Sequence, residues 1–152
     1  MVWPNDLLSI ILAIVLGAVI GMEREFSGKA AGLRTNVLIC LGAAVFTIIS
    51  RQMVGGTNGS VARIAAQIVT GVGFLGAGAI IQDRGGVHGL TTAATIWLVS
   101  SIGMACGAGF YGLAIVAALT AILVLIGLGK LVRLLERYRG KGNLENTPDD
   151  QD

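Results

Sequence analysis

Apolar residues in this chain fall into long runs separated by short polar connections. Five runs stand out, at 7–22, 33–50, 64–81, 90–107 and 110–129. Each is 16–20 residues long, enough at a helical rise of 1.5 Å per residue to span about 30 Å of hydrocarbon. The pattern predicts an all-α integral membrane protein of about five transmembrane helices. The first run is entered through Trp3, Pro4, Asn5 and Asp6. Proline suits the first turn of a helix and tryptophan the bilayer interface, so the entry reads as an anchor point. No Lys or Arg precedes that run, which argues against a cleaved signal peptide.

The connections fit the same picture. "GGTNGS" at 55–60 reads as a flexible loop, and "GAGFYG" at 107–112 is too short for anything but an antiparallel helix pair. Beyond the fifth run, Leu131, Leu134, Leu135 and Tyr138 recur at helical spacing among basic residues. This predicts a basic amphipathic juxtamembrane helix over 130–141 lying on the membrane surface. Residues 142–152 are polar and acidic and read as a disordered tail. The expected organisation is therefore a transmembrane domain over 1–129, the amphipathic helix, and the tail.

Composition sharpens the class. Hydrophobic residues make up 54% of the chain and charged residues 13%, against about 25% charged in typical soluble domains. There are 23 glycines and 2 prolines, a balance suited to helices packed closely in lipid. The net charge of +2 is too small to point to nucleic acid. Its distribution says more: with five spans, nine of the 11 basic residues fall on the side of the C-terminus and only Arg51 and Arg63 on the other. The positive-inside rule then predicts N-terminus out and C-terminus in. Cys40 and Cys106 both lie inside apolar runs and His88 is the sole histidine, so neither a zinc site nor thiol redox chemistry is supported. No metal and no cofactor are expected.

One motif tests the enzyme reading. "GVGFLG" at 71–76 matches the glycine spacing of dinucleotide-binding loops, and Gly78 follows it. Such a loop needs a preceding strand, a turn at the glycines and an acidic residue about 20 positions on. Here the glycines sit inside an unbroken apolar run, and the chain about 20 residues further reads "ATIWLV" without a carboxylate. No nucleotide is expected. At 100° per residue, Gly71 and Gly78 share one helix face with Gln67, while Gly73 and Gly76 share roughly the opposite one with Ala66. A helix smooth on two sides is expected at the centre of the bundle. The fourth segment, with Thr91, Thr92, Thr95, Ser100, Ser101, Gly103 and Gly107, is its natural neighbour.

Charged residues avoid the middle of the spans and gather at helix ends. One set, expected on the inner side, is Glu23, Arg24, Arg34 and Asp83, beside Thr35, Thr91 and Thr92. Either the charges fix helix depth by snorkelling, or they form a polar cluster in which Arg34 pairs with Glu23 or Asp83 and an anion, an ion or a partner protein binds. A second set, Arg63 and Gln67, lies one turn apart at the start of the third segment. Gln67, an amide in a glycine-lined helix, calls for a partner there, and reads either as a structural hydrogen bond or as part of a polar path. His88, in the loop "DRGGVHG", reads as solvated, and Glu25, Lys29 and Arg84 read as snorkelling charges that fix helix depth.

Three blocks, "GMEREFSGKAAGLRTN", "RIAAQIVTGVGFLGAGAI" and "GLTTAATIWLVSSIGMACGAG", closely resemble the MgtC/SapB family of bacterial inner-membrane proteins over roughly residues 17–109. The resemblance implies a multi-pass domain of the cytoplasmic membrane linked to growth under magnesium limitation and, in pathogens, to survival in host cells. Some members resemble regulators of membrane energetics that bind other membrane proteins, with the ATP synthase proposed as a target. The matching positions here are Glu23, Arg24, Gly32, Leu33, Arg34, Thr35, Arg63, Gln67, the glycines 71, 73, 76 and 78, Gly89, Leu90, Thr92, Ala93 and Ala94. Many members have Arg where this chain has His88, and many carry a soluble C-terminal domain where this sequence has a short tail.

The residues and the resemblance together favour a non-enzymatic regulator that contacts itself, as a homo-oligomer, or another membrane protein within the lipid bilayer. The competing reading is a transporter or channel for Mg²⁺ or another small ion. Mg²⁺ is usually held by one or two carboxylates with several waters, and no carboxylate falls within the apolar runs. An enzyme is disfavoured, because one histidine and scattered hydroxyls assemble no nucleophile, base and orienting group.

Overall fold

The structure is a computed structural model and describes residues 4–53, 58–83 and 86–131. Among these, five helices run in order: α1 (Pro4–Phe26), α2 (Leu33–Met53), α3 (Asn58–Gly78), α4 (Leu90–Ala108) and α5 (Tyr111–Leu123). The last continues through a π-helical stretch, Val124–Leu128. By length and composition α1, α2, α4 and the helical stretch Tyr111–Leu131, which α5 begins, can each cross a membrane. The apolar part of α3 is shorter, Ala65–Gly78. A single hairpin of two three-residue strands, β1 (Ile81–Asp83) and β2 (Gly86–His88), interrupts the helical pattern with Ile81 opposite His88. It occupies the connection read from sequence as a plain loop. The expected amphipathic helix over 130–141 and the tail over 142–152 lie, but for residues 130 and 131, outside the described residues.

The helix ends follow local chemistry. Past α1, Gly28 adopts φ +62°; its N–H donates to Glu25 O at 3.0 Å and that of Lys29 to Arg24 O at 3.0 Å. Past α4, Gly109 at φ +86° repeats the arrangement, with N–H donation to Cys106 O, while Phe110 donates to Ala105 O. Both are left-handed closures that satisfy the last carbonyls of a helix at no Cβ cost. They turn the chain back sharply, α4 into α5 within two residues.

Helix α4 is the centre of the bundle, in contact with α1, α2, α3 and α5. The main buried cluster joins Ala13, Leu16 and Ile20 of α1, Cys40 and Ala44 of α2, Val99, Ile102 and Cys106 of α4, and Ala114, Ala118 and Ala121 of α5. A smaller cluster seats α3 through Ile68 and Val72 against Ala43 and Ile96. The expectation that the third segment is central is thus corrected. Helix α3 packs mainly on α4 and α2, and a Cβ added at Gly71, Gly73 or Gly78 would meet nothing within 4 Å. Of the four glycines 71, 73, 76 and 78, only at Gly76 would an added Cβ meet a neighbour, 3.6 Å from Ala93 O. Gly103 and Gly107 of α4 do lie at a close crossing: an added Cβ at Gly103 would collide with Cys40 O, and one at Gly107 with Ala44 O and, at 2.8 Å, Thr47 Cβ. Smoothness on two sides permits two neighbours but does not place them, which is why α3 and α4 exchange roles.

Candidate functional site

The helices alternate in direction, so polar termini collect at two ends of the bundle. At the end where α1 finishes and α2 and α4 begin, the structure brings together Glu23, Arg24, Asn36 and Thr92. Arg24 is only 3% exposed, and its Nη2 donates to Thr92 Oγ1 at 2.5 Å. Its Nε is buried without a partner, as are Glu23 Oε2 and Asn36 Oδ1. Glu23 uses its other oxygen to accept from Ser27 Oγ at 2.8 Å. Asn36 donates through Nδ2 to Ala31 O at 2.5 Å and Gly32 O at 2.8 Å. That amide holds the turn into α2 closed, where Ala31 takes the left-handed φ of +57°. Glu25 caps α2 from eight residues away, its Oε2 accepting the Leu33 N–H at 3.0 Å. Gly32 leaves the room for it, since a Cβ there would overlap Glu25 Oε2.

Arg34, Thr35 and Thr91 are exposed around this buried core. The expected pairing of Arg34 with Glu23 does not form: among the described residues the one ion pair within 4.0 Å lies elsewhere. Arg24, not Arg34, is the arginine that turns inward, because it sits one turn from Ile20 on the face of α1 that meets α2 and α4. The side chain of Asp83 is outside the described part, and Arg84 falls in the undescribed pair of residues. Thr95, one turn into α4, is 6% exposed and returns its hydroxyl to Thr91 O. One turn deeper than Arg24, Asn36 and Thr92 lie Ile20, Cys40 and Ile96, each 4% exposed or less. An apolar layer therefore floors the polar cluster.

At the opposite end, Asp6 is 1% exposed. It accepts from Arg51 Nη2 at 2.5 Å and Gln52 Nε2 at 2.7 Å. Tyr111 Oη donates to Asn5 O at 3.0 Å and lies 3.0 Å from Ser9 Oγ. These contacts tie the start of α1 to the end of α2 and the start of α5. They were not anticipated, although Asp6 and Arg51 were already assigned to one side of the membrane and are the obvious opposite charges there. Asn36 was missed as well. Its signal is a polar residue within an apolar run, four positions after Gly32.

Arg63 and Gln67 lie on the exposed side of α3 and take part in none of the hydrogen bonds described for either cluster. Among the described residues no group of three or more His, Cys, Asp or Glu is placed to hold a metal ion.

Long apolar helices packed around a central α4, with the charged side chains among the described residues at or near the helix ends, define a multi-pass membrane bundle. The chain matches the MgtC family over residues 10–134 and belongs to it. It is 48% identical over 124 residues to "Protein MgtC" of Brucella abortus, covering 82% of this chain and 51% of that protein. It is 46% identical over 125 residues to "Putative magnesium transporter YhiD" of Escherichia coli K12, covering 78% and 58%. With "Protein MgtC" of Salmonella typhimurium it shares 47% over 113 residues, covering 74% and 48%. The chain thus spans about half the length of these curated relatives. No solved structure matches it.

Proposed function

We propose that this chain is a non-enzymatic regulator of the bacterial cytoplasmic membrane, acting through protein contacts at its polar end under magnesium limitation. The observation that carries this reading is the floor beneath that end. A conduit needs polar groups to continue inward, because every unsatisfied charge or dipole in the bilayer core is costly. Here the polar layer of Arg24, Asn36 and Thr92 gives way within one turn to Ile20, Cys40 and Ile96, and the buried hydroxyl at that level, Thr95, is turned back onto Thr91 O. Arg34, Thr35 and Thr91 project around it as an exposed polar rim. A rigid, charged, closed surface at the end of a bundle suits docking. The resemblance to the MgtC/SapB family is what suggests magnesium limitation and membrane energetics as the setting, with another membrane protein such as the ATP synthase as the kind of target.

The relative described as a putative magnesium transporter supports the competing reading, in which the same end is the mouth of a path. The two readings separate on Arg34. Docking predicts that tagged protein from membranes of magnesium-starved cells retains a partner after solubilisation and that Arg34→Glu loses it while the fold stays intact. Retention of every co-purifying protein by Arg34→Glu would remove the docking reading.

A further inference from the structure

Helix α3 presents polar side chains to the outside of the bundle. Arg63, Gln67 and Thr70 stand at i, i+4 and i+7, Phe74 extends the stripe to i+11, and all four are exposed, Phe74 by 80%. The opposite face, with Ile68 and Val72, is the one packed on α2 and α4. The Thr70 hydroxyl is satisfied by Ala66 O at 3.0 Å. Arg63 stands five residues into α3, within reach of the headgroups by snorkelling. Gln67, one turn deeper, is the third residue of the apolar part of the helix, Ala65–Gly78; its side chain is too short to snorkel as Arg63 does, and its amide has no hydrogen bond among the described residues. A lipid tail cannot supply one.

Beside Gln67 runs an apolar groove of about 570 Å³ between α2 and α3, with Leu38, Gly42 and Phe46 on one wall and Gln67, Gly71 and Leu75 on the other. Its two glycines have open space where a Cβ would stand. The groove is a hole without a knob, and Phe74 a knob without a hole.

We propose that this face of α3 pairs with the same face of a second copy, in a parallel dimer whose two-fold axis runs along the membrane normal. Copies inserted by the same route share orientation, and such an axis keeps every residue at its own depth. Gln67 then meets Gln67. An amide carries both donors and an acceptor, so it is complementary to itself. On a wheel of about 100° per residue, Phe74 lies about 20° to one side of Gln67, and Gly71 and Leu75 about 40° and 80° to the other. A two-fold axis sets a residue displaced to one side against the position displaced to the other side on the second copy. Each Phe74 therefore enters the other copy's groove at the depth of Gly71 and Leu75. Gly71 and Gly78, both open, let the two helices approach closely. This surface is separate from the polar end and stands whether or not that end recruits a partner.

The test is cross-linking and association in vesicles of the full chain. Gln67→Cys and, separately, Phe74→Cys are introduced, with Leu119→Cys on the exposed face of α5 as control; the native Cys40 and Cys106 are buried. Oxidation is expected to give a covalent dimer at position 67 and none from Leu119→Cys or the unsubstituted chain. Energy transfer between labelled copies, followed as the protein is diluted in lipid, is expected to show Gln67→Leu weakening association by roughly three- to twentyfold, the range of interhelical hydrogen bonds in membranes, with Gln67→Asn retaining part of it. Phe74→Ala is expected to weaken it independently. A monomer at every dilution, a Gln67→Leu variant that associates like the parent, dimers formed only through Leu119→Cys, or capture at position 67 of a different protein with no self-adduct would each overturn the proposal.

Discussion

Replacing Gly103 by alanine tests the packing on which the bundle depends. An added Cβ would sit 2.9 Å from the Cys40 carbonyl carbon and 3.0 Å from Ala43 Cβ, with Cys40 O closer still. Carbon atoms in ordinary contact stand about 3.5–4.0 Å apart and carbon to oxygen about 3.3 Å, so α2 and α4 must separate by about 1 Å or more at their crossing. Overpacking of this kind typically costs about 1–3 kcal/mol. The obstacle here is backbone, which cannot rotate away as a side chain can, so the upper end applies. Alanine returns at most about 1 kcal/mol of helix propensity, leaving a net loss of about 2 kcal/mol. Gly73 is the matched control: it lies in the same kind of apolar helix, but its Cβ position is open, so Gly73→Ala should be neutral or stabilising by up to about 1 kcal/mol. Reversible unfolding in mixed micelles with increasing sodium dodecyl sulfate, followed by far-ultraviolet circular dichroism, measures both. Equal midpoints for Gly103→Ala and the parent, or a Gly73→Ala variant as damaged as Gly103→Ala, would refute the placement of α4 against α2 and of α3 at the edge.

The ion pair at the other end should respond asymmetrically. Arg51→Ala removes the guanidinium that donates to the buried Asp6 carboxylate, whereas Asp6→Ala releases an arginine that is already 41% exposed; the first is expected to cost about 1–3 kcal/mol and the second distinctly less, read as unfolding midpoints in the same micelles. At the polar end, Thr92→Val keeps the shape of the side chain but removes the oxygen that accepts from Arg24. A loss of about 1–3 kcal/mol is expected, with Thr92→Ser near the parent; equal stability of Val and Ser would show that the bond contributes nothing.

What could be read from the residues and what could not divide along physical lines. Long apolar runs announce spans because lipid tolerates little else, and four of the five helices begin or end within a few residues of the runs. Helix α3 starts at Asn58, inside a stretch whose glycines and polar residues read as a loop, because Asn and Ser serve helix starts as well as turns. Rotation about the helix axis was harder. Arg24 and Arg34 carry the same charge at the same end, and only the rotation of α1 and α2 about their axes decides that one is buried against Thr92 and the other exposed. The glycines of α3 and α4 pose the same problem: small residues record that a close approach is possible, and the partner's surface decides whether it happens. Asp6 with Arg51 was within reach, since assigning loops to sides already placed both at one end.

Reconstitution decides most directly whether the polar end is a closed docking surface or a mouth. The purified chain, in liposomes loaded with a Mg²⁺-sensitive dye and with its orientation established by protease accessibility, is given an inward Mg²⁺ gradient. The floor of Ile20, Cys40 and Ile96 predicts dye signals no different from protein-free liposomes. Saturable Mg²⁺ entry that disappears on Thr92→Val, or on Gln67→Leu, would contradict the account and place this chain among transporters.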